Sequence, residues 1–196
     1  MLYNTPDHNG LRRWGTLLGL NDHPEFTAMI ENPHESTLVR DICLGVVSEQ
    51  EMWNRMAERW HIKPRMINSL RRRMNSKKRL NSPMINFLSK LQSHYQTAIL
   101  SNAGNESRRL MEDSLNLDQY VEKIIISAEI RMVKPDPKIY QLVLDKLGTS
   151  PEVTLFIDDL EENVIAARDL GMHAIQHRSN DETIRAVEKI LARKEF

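Results

Sequence analysis

Two adjacent carboxylates, Asp158 and Asp159, end the apolar run in Leu155-Phe156-Ile157-Asp158-Asp159-Leu160-Glu161, and a helical pattern follows at once. Neighbouring anions repel, so burying both requires a cation or hydrogen-bond donors close by. Open α/β sheets take their ligands at the carboxyl ends of parallel strands, which makes the pair a candidate metal site at a sheet rim. Taken alone, the same residues fit better as a turn whose Asp side chains cap the next helix. Upstream, Ser101-Asn102-Ala103-Gly104 offers a hydroxyl, an amide and a Gly that permits close backbone approach, a set able to cradle a phosphate oxygen. Ser-Asn-x-Gly is also an ordinary turn. In Arg131-Met132-Val133-Lys134-Pro135-Asp136-Pro137, Lys134 stands immediately before a Pro suited to a helix start, so its ammonium is expected near that helix terminus. A solvated surface lysine is the plainer alternative. A hydroxyl, a cation and a carboxylate pair at successive strand ends can serve phosphoryl transfer assisted by magnesium.

The elements that must carry these clusters are legible after Ser82-Pro83, a good N-cap and first-turn pair. Ile85, Phe87, Leu88 and Leu91 mark a helix, Thr97 to Leu100 a strand, Glu106 to Leu115 a helix and Lys123 to Ile126 a strand. A helix face of Ile139, Leu142, Val143 and Leu147 ends at Gly148. Val153 to Ile157 is a strand, Asn163 to Leu170 a helix ended by Gly171, His173 to Ile175 a strand, and Glu182 to Arg193 a helix. Strands alternating with helices predict a parallel sheet covered on both faces. From about Asn9 to Leu80 the pattern is helical instead. Ser48-Glu49-Gln50-Glu51 reads as a capping box, and Met52, Trp53, Met56 and Trp60 recur at helical spacing, which predicts a packed face. The expected organisation is an α-helical cap over residues 9–80 and an α/β core over 81–196.

At 196 residues the chain makes one domain, or one domain with an insert. Lys plus Arg and Asp plus Glu are 27 each, so net charge gives no steer toward nucleic acid or membrane. The single cysteine, Cys43, excludes an intrachain disulfide and fits a reducing compartment. No apolar run approaches the ~20 residues that span a bilayer, and no signal-peptide pattern opens the chain. A cytoplasmic protein is expected.

Ser101-Asn102-x-Gly104, then Lys134-Pro135-Asp136-Pro137-x-Ile139-Tyr140, then Phe156-Ile157-Asp158-Asp159-x-x-x-Asn163-x-x-Ala166-Ala167-x-x-Leu170-Gly171-Met172 closely resembles the haloacid-dehalogenase-like hydrolase superfamily. The match keeps order and spacing over about residues 83 to 178. The resemblance implies a Rossmann-like parallel sheet with helices on both faces, and a small α-helical cap inserted after the first strand. It implies that Ser101 and Asn102 contact a transferring phosphoryl group. Lys134 would neutralise that group and hold the nucleophile, while Asp159, helped by Asp158, would hold Mg2+. True dehalogenases of the family need no metal there, so the carboxylate pair favours phosphate-ester chemistry on a small phosphorylated substrate.

The family begins with an apolar central strand ending in an Asp-x-Asp-like motif whose first Asp is the nucleophile, and this sequence shows no such segment. Its nearest imitation is Asp7-His8-Asn9-Gly10, behind a poor strand in which Pro6 cannot donate a ladder hydrogen bond. Losing that strand should leave two strand edges facing each other with unpaired backbone groups. Three outcomes are open: a makeshift N-terminal strand, direct pairing of the Ser- and Asp-bearing strands, or a fragment of a longer reading frame, the last being favoured. Arg131 stands where the family usually has Gly, and either distorts the loop leading to Lys134 or adds an anion contact. Between His61 and Ser89 no residue is acidic, whereas Lys63, Arg65, Arg71, Arg72, Arg73, Lys77, Lys78 and Arg79 are basic. That strip supports an alternative reading, a non-catalytic protein binding an anionic partner. Adjacent arginines cannot all share one helix side, and no aromatic residue interleaves them, so nucleic acid is not an expected partner; nor, with no bilayer-length apolar run, is a membrane.

Overall fold

The computed structural model describes residues 2–4, 8–33, 36–76 and 79–192. The N-terminal part is helical, as its periodicity predicts: α1 (His8–Leu18), α2 (Pro24–Glu31), α3 (Thr37–Cys43), α4 (Glu49–Arg59) and α5 (Pro64–Ser76). The Ser48 hydroxyl accepts the Glu51 N–H at 3.1 Å and starts α4. Met52, Trp53, Met56 and Trp60 are all buried, and they pack with Phe26, Ile30, Ile67 and Leu70 in one apolar cluster. Two short strands bracket these helices: β1 (Tyr3–Asn4) pairs antiparallel with β2 (Arg79–Leu80).

The remaining elements alternate. They are α6 (Ser82–Leu91), β3 (Ala98–Ser101), α7 (Ser107–Arg109), β4 (Lys123–Ile126), α8 (Ser127–Ile130), α9 (Pro137–Leu147), β5 (Leu155–Asp158), α10 (Glu161–Asp169), β6 (His173–Gln176) and α11 (Asn180–Leu191). Gly148 closes α9 at φ 67°, a left-handed position that glycine adopts without a Cβ clash. Some boundaries differ from expectation for identifiable reasons. Ser82 is the first residue of α6 rather than its cap; Asn81 is the cap, and its side chain pairs with that of Asn180. The expected helix from Glu106 is α7 continued by a π-helical turn, Leu110–Ser114. Val153 belongs to a 3-10 turn, so β5 begins two residues later.

The expected single sheet is divided. β3 pairs parallel with β4, Ala98 opposite Lys123 through Ser101 opposite Ile126. β5 pairs parallel with β6, Leu155 opposite His173 through Asp158 opposite Gln176. Among the described residues no strand joins the two pairs. β1 is engaged with β2, and β3 and β5 do not pair with each other, so neither a makeshift N-terminal strand nor direct pairing closes the space. Leu155, Phe156 and Ile157 are accordingly only half-buried, whereas strands inside a parallel sheet are normally covered completely. Helices still cover the faces: α10 packs on β5 and β6, and α11 on β6 and α6. No described helix is long and apolar enough to cross a membrane.

Arg131, where glycine is usual in the family it resembles, ends α8 with φ 55° and ψ 34°. The loop to Lys134 is formed nonetheless, and its bulky residue sits in a backbone region that disfavours side chains by ~1–2 kcal/mol. Arg131→Gly is therefore expected to stabilise the fold by about 0.5–1 kcal/mol after glycine's own entropic cost. Chemical denaturation measures this, and an unchanged or lower stability would show that the arginine side chain compensates.

Candidate active site

Lys134 joins the ends of the two strand pairs. Its ammonium donates to the Leu100 carbonyl of β3 at 3.2 Å and to Asp158 Oδ2 of β5 at 2.6 Å. The two side chains are only 9% and 3% exposed, so this ion pair is largely withdrawn from water. The ammonium also lies 5.6 Å from the Phe156 ring centroid. It is not held at the start of α9, where Asp136 caps the helix by accepting the Lys138 N–H at 2.9 Å. Desolvation makes such a pair costly unless further hydrogen bonds complete it, and they do: Asp158 Oδ1 accepts from the Leu160 N–H at 3.0 Å and from Asn163 Nδ2 at 2.8 Å. Asn163 is fixed in turn by Tyr140, whose hydroxyl donates to its carbonyl at 3.0 Å. Burial, with the negative charge of Asp158 and Glu162, raises the Tyr140 hydroxyl pKa and keeps it a donor.

Asn102 has a role that its place beside Ser101 did not disclose. Its amide grips the Lys134 backbone twice, Nδ2 donating to the carbonyl and Oδ1 accepting the N–H, both at 2.9 Å. Ser127, fully buried at the start of α8 just after β4, was missed altogether. Its hydroxyl accepts the Ala103 N–H at 3.0 Å and donates to the Ala103 carbonyl at 3.2 Å, which fixes the loop after β3. A small polar residue directly after an apolar strand was the available signal. Ser101 closes β3, half-buried, and lines the same cavity as Lys134, Asp158 and Asp159. Gly104 allows close approach by side chains of the helical part rather than the phosphate contact read from the sequence: a Cβ there would lie 2.5 Å from Glu49 Oε1 and 2.6 Å from Ile42 Cγ2. The helical part thus docks onto this loop, and Arg71 of α5 adds an ion pair with Glu106 and a hydrogen bond to Gln50. Arg71 of the basic strip is thereby engaged, while Lys77, Lys78 and Asp7 lie outside the described residues.

The carboxylate pair divides its labour. Asp158 is spent on Lys134, Leu160 and Asn163, whereas Asp159 is exposed at the rim. Among the described residues no group of three or more His, Cys, Asp or Glu side chains is placed to hold a metal. Magnesium commonly uses one or two carboxylates with substrate phosphates and waters, so Asp159 fits as one ligand of an incomplete set. Cys43 lines the cavity too, but burial and then Glu49 push its thiol up to about 11, outweighing Lys134 and Ser127. It stays protonated and is a poor nucleophile.

Removing one partner of the buried pair leaves an uncompensated charge, so Lys134→Met should cost about 3–5 kcal/mol in denaturant unfolding. Adding Asp158→Leu should recover part of that loss; a strictly additive double variant would contradict the coupling. Burial raises the Asp158 pKa, but Lys134, Asn163 and the Leu160 amide outweigh it and hold the group below its ordinary 3.8. A depressed folded pKa stabilises above the unfolded value, and this contribution is lost as pH falls through the folded one. Wild-type stability should therefore drop below about pH 4, and Asp158→Asn should drop less over that window. Parallel pH profiles for the two proteins would contradict the assignment.

Comparison with known proteins identifies the family. Residues 30–176 match the family of haloacid dehalogenase-like hydrolases. Bifunctional epoxide hydrolase 2 of Rattus norvegicus is 32% identical over 116 residues, covering 57% of this chain and 21% of that protein. This chain thus spans about a fifth of the length of that relative. (S)-2-haloacid dehalogenase 1 of Pseudomonas sp. (strain CBS-3) is 32% identical over 82 residues, 42% of this chain and 36% of that protein. A haloacid-dehalogenase-family enzyme of Bacteroides thetaiotaomicron, solved in complex with magnesium and inorganic phosphate, superposes with a TM-score of 0.72 at 22% identity, covering 89% of this chain and 88% of that one. A family match over three quarters of the chain, with a fold shared with solved members, settles the family: the chain belongs to the haloacid dehalogenase-like hydrolases.

Proposed function

We propose that the site binds and turns over phosphate esters of small metabolites with magnesium, and that the attacking carboxylate is not among this chain's described residues. The observation that carries the reading is the buried Lys134 ammonium, held between Leu100 and Asp158 beside the exposed carboxylate of Asp159. A fixed cation in a partly dry cleft stabilises phosphoryl oxygens more than a solvated one does, because it needs no reorganisation when the ligand arrives. Ser101 would donate to a phosphoryl oxygen. Asn102 would act through its grip on the Lys134 backbone, and Asp159 would be this chain's magnesium ligand. When bound, magnesium supplies neutralisation of phosphate charge. Lys134, together with a magnesium ion that Asp159 would help to hold, would suit a dianionic phosphate better than a monoanionic 2-haloacid. With no attacking carboxylate placed among the described residues the covalent route is closed to them, so the 196-residue chain is expected to bind phosphate and hydrolyse esters poorly.

Phosphate binding tests the reading without requiring turnover. Isothermal titration of the chain with inorganic phosphate should show binding that strengthens with magnesium. Ser101→Ala should weaken it about tenfold, a loss of roughly 1.4 kcal/mol. Asp159→Asn should remove the magnesium effect while leaving stability intact. No binding at any magnesium concentration, or chloride release from 2-haloacids with no phosphate binding, would overturn the proposal.

A further inference from the structure

The cavity that holds Ser101 and Asp159 is lined, among the described residues, by Lys134 and by two arginines, Arg40 of α3 and Arg131 at the end of α8. Lys134 is committed to Leu100 and Asp158. Arg40 and Arg131 are exposed, and neither guanidinium has a hydrogen-bond or ion-pair partner among the described residues. Acids that could have answered them are engaged elsewhere. Glu129 of α8 is bound by Arg108, Glu31 by Arg12, and Asp136 caps α9. Asp159 and Glu162 belong to the β5 and α10 side of the cavity.

The backbone brings the two arginines to one cavity from different parts of the chain. α3 packs on α8, and a Cβ on Gly45, just after α3, would lie 2.4 Å from the Ala128 carbonyl. Arg40 precedes Cys43 and Leu44 by three and four residues, which sets the three on one face of the helix, and all three line the cavity. Arg131 stands three residues before Lys134, so their Cα atoms lie within about 11 Å of each other. Its φ of 55° is the strained position described above, which glycine would occupy more easily. Strain of this kind persists where a side chain is needed.

A cleft lined by free charge of one sign concentrates ligands of the other. A guanidinium fork meets a carboxylate or a phosphate through two parallel hydrogen bonds, and a hydroxyl offers it no such match. A ligand whose phosphate sits at Lys134 therefore finds a second point of attachment if it carries another oxyanion a few bonds away. We propose that Arg40 and Arg131 form a second anion subsite, which selects phosphate esters bearing a further carboxylate or phosphate. The inference rests on the phosphate reading above and narrows its substrate class.

Isothermal titration in the presence of magnesium, with pairs of esters that differ in one charged group, tests it. Either 3-phosphoglycerate should bind about tenfold more tightly than glycerol 3-phosphate, or fructose 1,6-bisphosphate about tenfold more tightly than fructose 6-phosphate. The first result makes a carboxylate the second group, and the other makes it a phosphate. Arg131→Gly, which the fold should accept, and Arg40→Ala should each lower the favoured ratio about threefold, and together bring it close to unity. Arg185→Ala removes the same charge from an exposed position on α11 outside the cavity and should leave the ratio unchanged. Ratios near unity for both pairs, with inorganic phosphate still bound, would overturn the subsite and leave the phosphate reading standing. A preference that survives the double variant, or falls as far with Arg185→Ala, would overturn it too. Absence of all phosphate binding would remove the phosphate reading and this subsite with it.

Discussion

A single ammonium ties the two strand pairs of this protein together. Lys134 donates to a backbone carbonyl of β3 and to a carboxylate of β5 across a space that no described strand fills. Burying a lysine and an aspartate costs several kcal/mol per ion before their attraction is counted. The surrounding residues answer that cost. Asn163 and the Leu160 amide complete Asp158, Tyr140 fixes Asn163, and Asn102 fixes the backbone from which Lys134 springs. The parts of the site are therefore mutually dependent, and disturbing one of them moves the charge that the others position.

The helical part is attached to the same centre. Gly104 lets Ile42 and Glu49 approach the loop after β3 more closely than any side chain would permit, and Arg71 reaches from α5 to Glu106. Cys43 and Tyr3 feel the charge of Glu49 at this junction, and both titrate higher than they would in water, burial being the larger cause. The helices thus form one wall of the cleft in which Lys134 and Asp159 stand. This arrangement suits a lid over a charged ligand, because excluding water strengthens each electrostatic contact inside.

Much of this was legible in the sequence because it is local. Lys123 to Ile126 is a strand at the expected residues, Gly148 ends its helix, and the Ser48 hydroxyl cap starts another. Such features depend on neighbours within one turn or one strand. The family resemblance read from the sequence likewise rests on short motifs at strand ends. What escaped sequence reading is long-range. Asn102 touches the backbone of a residue 32 positions away, and Ser127 holds a loop 24 positions earlier. Hydrogen-bond partners at that separation leave no periodic trace. The cap position falls on Asn81 rather than Ser82; both residue types suit it, and the side-chain pairing of Asn81 with Asn180 is a tertiary contact that the sequence does not display. That no segment of this sequence reads as the family's central strand was legible as a missing pattern, but whether the flanking strands among the described residues would pair across the space was decided by packing.

The most direct test of this account is heteronuclear NMR of the Lys134 side-chain ammonium. Held between Leu100 and Asp158, it should give a distinct Nζ resonance whose protons exchange slowly with water and couple through the hydrogen bond to the Asp158 carboxylate carbon. An averaged, rapidly exchanging signal indistinguishable from those of the surface lysines would show that the two strand pairs are not joined through this cation.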